Sequence, residues 1–121
     1  MYDNMPHPGI QSQPSYEETV EAVQHCEATC ESVEFFVMQM KDIRCRGEQL
    51  RLLRDCADIC ALTAKCMARC SGFAKTLALV CAEVCEVCGH HCLHHSDDVS
   101  QRCAQICLHC ARECQAFAVG A

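Results

Sequence analysis

The sequence predicts an all-α protein, an antiparallel up-and-down four-helix bundle with a Cys-lined core. Three observations carry that prediction. Cysteines recur at gaps of four and three, turn-forming residues divide the chain into four such segments, and nothing reads as a strand. At 3.6 residues per turn each residue advances about 100° around a helix axis, so Cys81, Cys85, Cys88 and Cys92 fall within an arc of roughly 60°. Cys103, Cys107, Cys110 and Cys114 repeat the pattern. On a strand, offsets of four and three differ in parity and would scatter these thiols over both faces.

Residues 1–14 hold all three prolines together with Gly9 and several polar residues, and read as a flexible tail ahead of a bundle over residues 15–118. Met5 and His7 fall in that tail. Ser15 and Glu18 have capping-box spacing and open the first helix, which runs to about Lys41. Its inward face by helical periodicity is Thr19, Ala22, Val23, Cys26, Cys30, Val33, Val37 and Met40. Cys45 lies about 100° off that stripe and belongs to the turn ending at Gly47. The second helix spans about Glu48 to Ser71, with Gly72 as its C′ residue, and carries Cys56, Cys60, Cys66 and Cys70 on a stripe roughly 120° wide. Leu52, Ile59, Thr63 and Met67 complete its inward face. The third helix runs from Phe73 to about His95. Ser96, Asp97 and Asp98 then announce the fourth, which ends near Phe117.

Folded antiparallel, the stripes meet on one axis as a tube of thiols with chemically different ends. One end collects Met40, Cys92 and the His90, His91, His94 and His95 group. The other collects Met67, Phe73, Leu77 and Phe117 as an apolar plug.

Composition narrows the purpose of such a tube. The chain has 121 residues, 15 of them Cys and only six aromatic, and a formal net charge of −6. That length suits one domain, whose interior must be built from sulfur and small aliphatics. The acidic balance and the lack of a basic stripe argue against a nucleic-acid partner or an anionic membrane surface. No run approaches the roughly 18 apolar residues of a membrane span, and no export signal is read at the start, so the expected address is the cytoplasm. Cytosolic thiols are kept reduced, which points to metal or redox chemistry more than to a disulfide framework.

Fifteen cysteines are too many to be small buried hydrophobes, because Ala or Val would fill the same space without the oxidation hazard. Zinc wants four ligands in a tetrahedron and usually takes C-x-x-C on a turn, whereas the C-x-x-C pairs here are helical. Iron–sulfur spacing is absent. Cu(I) is soft and prefers thiolate, and a one-turn pair with Cβ atoms about 5 to 6 Å apart can hold an ion between two sulfurs. One monovalent cation per thiolate also neutralises a core that would otherwise bury uncompensated charge. The expected load is therefore multiple Cu(I) ions per chain, bound as the thiols release protons. Zinc or general heavy-metal buffering is the alternative. A thiol oxidoreductase would need an exposed, low-pKa cysteine beside a resolving one, which buried stripes do not offer. No Ser-His-Asp arrangement, phosphate loop or paired-carboxylate site stands out, and no catalytic residue is assigned.

The C-x-x-x-C motifs on all four helices, the doubled C-x-x-x-C-x-x-C-x-x-x-C and the His90–His95 turn resemble the copper-storage protein (Csp) family, specifically its cytosolic branch. The resemblance covers about residues 15–118. It implies a four-helix bundle that stores many Cu(I) ions, assembled as a homotetramer. It further implies metal roles for Cys26, Cys30, Cys56, Cys60, Cys66, Cys70, Cys81, Cys85, Cys88, Cys92, Cys103, Cys107, Cys110 and Cys114. Cys45, outside the paired spacing, is retained as a candidate ligand. Relative to the third helix's sulfur stripe, His95 lies at about −40° and His91 at about −80°, which makes both candidate ligands at the open end. His25, His90, His94 and His109 read as solvated. Apolar residues at outward positions, Phe35, Leu62, Leu79, Val87, Leu93 and Leu108, suggest a homo-oligomer.

Overall fold

The computed structural model describes residues 15–120, so the tail expected over residues 1–14, with Met5 and His7, lies outside the described residues. Four helices follow in order: α1 (Ser15–Met38), α2 (Gly47–Ala68), α3 (Ala74–Cys92) and α4 (Asp98–Val119). A single 3₁₀ turn, Ile43–Cys45, sits between α1 and α2 and carries Cys45, as its off-stripe angle predicts. Each helix packs on its neighbours in sequence, and α1 closes the ring against α4. That is the up-and-down bundle expected for helices joined by short turns. No strand occurs among the described residues.

The helix ends depart from the sequence reading for local reasons. At the end of α1, Gln39 N–H bonds the Phe36 carbonyl and Met40 N–H that of Val37, three-residue steps that tighten the last turn and stop the helix before Lys41. The same tightening at His94 and His95 ends α3 at Cys92 instead of His95. The correction at α2 is larger. Its last turn is a Schellman motif in which Ser71 N–H reaches the Cys66 carbonyl (2.9 Å) and Cys70 N–H that of Met67 (3.1 Å). Cys70 therefore takes the left-handed C′ conformation (φ 54°) assigned in the sequence to Gly72, and α2 stops at Ala68. At α4 the signal is read correctly: Asp97 adopts extended backbone and its carboxylate accepts from Ser100 N–H at 2.9 Å.

The core fills the axis of the ring. On α1, Thr19, Val23, Cys26, Cys30, Val33 and Val37 are buried, while Ala22 and Met40 are half-buried. Leu53 and Met67 are the largest fully buried side chains, and burying each contributes about 1.5–3 kcal/mol. Between the sulfurs run alanines, among them Ala57, Ala78, Ala82 and Ala104, whose small size lets the backbones approach. The two helices α3 and α4 come together closely at Gly89 on α3, where an added Cβ would lie 2.8 Å from Leu108 Cγ. Leu108, read as outward, is thus half-buried in the α3–α4 seam. Phe35, Leu62, Leu79, Val87 and Leu93 are exposed as expected.

Candidate metal centre

The fold turns the cysteine stripes inward. All 15 cysteines are free thiols, and 13 are buried. Cys45 and Cys70 are the two exposed ones. Cys70 leaves the α2 stripe because its left-handed backbone swings it off the helical path, which corrects its expected place beside Cys66 on the inward face.

Inside, sulfur meets sulfur at 3.5–4.0 Å. Cys56 lies 3.5 Å from Cys85, Cys85 3.6 Å from Cys110, Cys30 3.7 Å from Cys107, Cys60 3.7 Å from Cys81, and Cys26 3.8 Å from both Cys56 and Cys107. Cys81–Cys85 (3.8 Å) and Cys103–Cys107 (3.9 Å) are one-turn pairs; the other contacts cross between helices. The sequence reading, which paired thiols along each helix, missed that cross-helix bias. These separations are far above a disulfide's roughly 2.05 Å and suit sulfurs sharing an ion between them. Three groups converge within 4.8 Å: Cys26, Cys60, Cys85 and Cys110; Cys26, Cys30, Cys56 and Cys107; and Cys81, Cys110 and Cys114. Cys26 and Cys110 each belong to two groups, so the array is continuous and not a set of separate pockets.

Burial favours the protonated form of the metal-free thiols, while hydrogen bonding between sulfurs divides them and pushes Cys26, Cys56, Cys81, Cys88 and Cys103 down. Hydrogen bonding to Cys110, then to other sulfurs, and burial push the Cys85 thiol far up; Cys107 is pushed up likewise, with Cys103 its leading partner. A cation that bonds to sulfur replaces the proton and removes the penalty.

The two ends differ. At one, Tyr16 and Phe117 pack with tilted rings whose centroids lie 6.2 Å apart, and the Tyr16 hydroxyl donates to the Met67 carbonyl and lies 3.8 Å from Cys70 Sγ. Burial, then Cys70, push the Tyr16 hydroxyl up to about 12. Met67 is buried and Leu77 half-buried here, but Phe73, expected in the plug, is 73 % exposed. Tyr16 supplies the missing ring.

At the other end, His91 and His95 are half-buried with ring centroids 5.4 Å apart, and His94 lies 6.0 Å from His91. His90 and His94 are exposed, as are His25 and His109, which line a groove between α1 and α4. Burial, then the positive charge of Arg46, holds the His95 imidazole below its usual value, so it is neutral and has a lone pair to offer at neutral pH.

Beneath these rings lies a buried polar hub that the sequence reading did not anticipate. Arg46, 6 % exposed, donates from Nε to Asp42 (3.0 Å) and from Nη1 to Gln49 Oε1 (3.0 Å), and its Nη2 lies 3.0 Å from Asp97 Oδ1 as an ion pair. Gln49, fully buried, donates to Ser100 Oγ at 2.8 Å and to Cys92 Sγ at 3.5 Å. The signal was present: Gln49 extends the α2 series Leu53, Cys56, Cys60 by one turn, and Ser100 extends Cys103, Cys107 on α4.

Comparison with known proteins agrees with this geometry. The chain is similar to a Cu(I)-bound copper storage protein, BsCsp3, with 35% sequence identity and a TM-score of 0.83 over 87% of this chain and 99% of that one. It is similar also to the apo form of copper storage protein 3 from Bacillus subtilis, with 36% identity and a TM-score of 0.80 over 85% and 98% of the two chains. A third relative is the uncharacterized cysteine-rich protein YhjQ of Bacillus subtilis, 42% identical over 69 residues, or 57% of this chain. The match spans just under two thirds (64%) of that relative. The model of the copper storage protein family matches residues 12–119, which include all four helices, and the chain belongs to that family.

Proposed function

We propose that this protein stores Cu(I) in the cytoplasm, holding many ions along its axis through cysteine thiolates, and that its role is binding and not catalysis. The observation that carries the reading is the inward array of 13 buried thiols, nine of which meet another sulfur at 3.5–4.0 Å. Such an array is too large for one catalytic or sensing site, and soft sulfur donors select a soft monovalent ion. Each ion taken up forms a sulfur–copper bond as a thiol loses its proton, so the interior stays near neutral. Buried Cys26, Cys30, Cys56, Cys60, Cys66, Cys81, Cys85, Cys88, Cys92, Cys103, Cys107, Cys110 and Cys114 are the proposed storage ligands. His91 and His95 receive ions at the open end, and exposed Cys45 and Cys70 contribute at the two poles. The copper-bound relative and the family description support the cargo; the exposed Phe35, Leu62, Leu79, Val87 and Leu93 support assembly into a homo-oligomer, which the family resemblance makes a homotetramer.

Anaerobic titration with Cu(I) tests the reading, with saturation expected at an ion count comparable to the number of cysteines. Saturation at one or two ions would show a chaperone or sensor instead. One observation favours a second cargo: Cys26, Cys60, Cys85 and Cys110 come from four different helices and form a four-sulfur set of the kind zinc accepts. Competition between Zn(II) and Cu(I) for the reduced protein separates the two, and storage of copper requires that Cu(I) displace zinc.

A further inference from the structure

The polar hub does more than tie two turns together. A guanidinium has donors and no acceptor. Arg46 therefore requires that Gln49 present its amide oxygen, at 3.0 Å from Nη1, and the amide cannot flip without setting donor against donor. With the oxygen so held, the two N–H groups of Gln49 must point the other way. One reaches Ser100 Oγ at 2.8 Å and the other Cys92 Sγ at 3.5 Å. Ser100 cannot release the amide either, because its oxygen also receives Arg46 Nη1 at 3.4 Å. Arg46 is pinned in turn by Asp42 and by Asp97, the residue that caps α4. The orientation of one buried amide is thus fixed by charges on both turns.

Cys92 is the last thiol of the α3 stripe, one residue from His91 and at the end where the imidazoles gather. Most of its fellow sulfurs touch only other sulfurs, each able to donate or to accept. Cys92 has in addition a donor that cannot reverse. Such a donor aims the sulfur's lone pairs and bonds more strongly to sulfur that carries metal-bound negative charge than to neutral thiol.

We propose that Arg46 and Gln49 form an orienting relay for Cys92, and that Gln49 is a positioning residue which makes Cys92 the first sulfur to receive copper at the histidine end. The inference rests on the storage reading but concerns the order and rate of filling, not capacity. Gln49 touches no ion; it acts through the sulfur it holds.

Two substitutions and one spectroscopic signature test it. Gln49→Glu keeps the shape and the Arg46 contact but cannot donate to Cys92, and Gln49→Met keeps only the volume. Wild-type protein, both variants and His91→Ala are loaded anaerobically with Cu(I), following the initial uptake rate and the final stoichiometry in each. Both Gln49 variants should take up the first equivalent about 10-fold more slowly with full capacity retained. In wild-type protein the ¹H–¹⁵N resonances of the Gln49 side-chain amide should shift with the first equivalent of Cu(I), which a purely structural role would not produce. Wild-type uptake rates in a folded Gln49→Glu protein, or a Gln49 amide that responds only late in the titration, would overturn the relay. A capacity of one or two ions in wild-type protein would instead overturn the storage reading, whatever the variants do.

Discussion

Gly89 shows how a single missing side chain sets the spacing of the thiol array. A Cβ there would lie 2.8 and 2.9 Å from Leu108 Cγ and Cδ2 and 3.2 Å from the Ala104 carbonyl oxygen, so the α3–α4 approach exists because residue 89 has none. Gly89→Ala gains helix propensity of about 1 kcal/mol but must push the helices apart, and overpacking of this kind costs about 1–3 kcal/mol. The expected net result is a protein less stable by up to about 2 kcal/mol in denaturant unfolding, with weaker copper retention, since Cys88 and Cys92 flank the wedge. Cys70 is the residue-scale counterexample. Helical spacing placed it on the α2 stripe, yet the helix closes through Cys66 and Met67, and the chain accepts a left-handed cysteine two residues before the glycine that would have fitted better. Spacing gives the angle of a residue only while the helix continues, and nothing in the spacing marks where it stops.

The turns at the histidine end depend on one another through Arg46. Asp97 caps α4 and faces the buried guanidinium, and its bonds to Ser100, together with the pairing to Arg46, outweigh burial and hold its carboxyl below the usual carboxylate range. A native value below the unfolded one means that the stabilisation is complete above the unfolded pKa and is lost as pH falls through the native value. Asp97→Ala should therefore destabilise the protein by about 2 kcal/mol at neutral pH. Its acid denaturation should be shallower than wild type below about pH 4, read from urea unfolding at a series of pH values. The existence and order of all four helices were legible in the sequence, because each carries a long periodic run between turn residues. The Asp97 cap was legible for the same reason. Arg46, Gln49 and Ser100 were not, since polar residues on an otherwise apolar stripe look like interruptions until both turns are seen to converge on them.

Across the bundle the thiols behave as one titrating body. Their convergence on the axis followed from the sequence, because four amphipathic stripes have nowhere else to go. Which sulfurs touch did not follow, because cross-helix partners depend on register and on seams such as that at Gly89. Sulfur–sulfur hydrogen bonds push Cys26, Cys56, Cys81, Cys88 and Cys103 down, but burial acts upward on all of these thiols. Cys30, Cys60, Cys85, Cys92, Cys107, Cys110 and Cys114 are pushed up, so on balance folded apo protein keeps protons that the unfolded chain gives up near pH 8.5. That contribution to stability is full below the unfolded value and is lost as pH rises. Thermal unfolding of reduced, metal-free protein should accordingly shift to lower temperature between about pH 8 and pH 10, and copper-loaded protein, whose sulfurs no longer carry protons, should shift far less.

Cys45 and Cys70 stand outside that interior at opposite poles of the rod, one in the turn after α1 and the other in the turn after α2. A molecule with one accessible thiol at each tip is a bifunctional linker. Left in air, such units join tip to tip into open-ended strings instead of closed pairs, while the sulfur sealed along the axis stays out of the reaction.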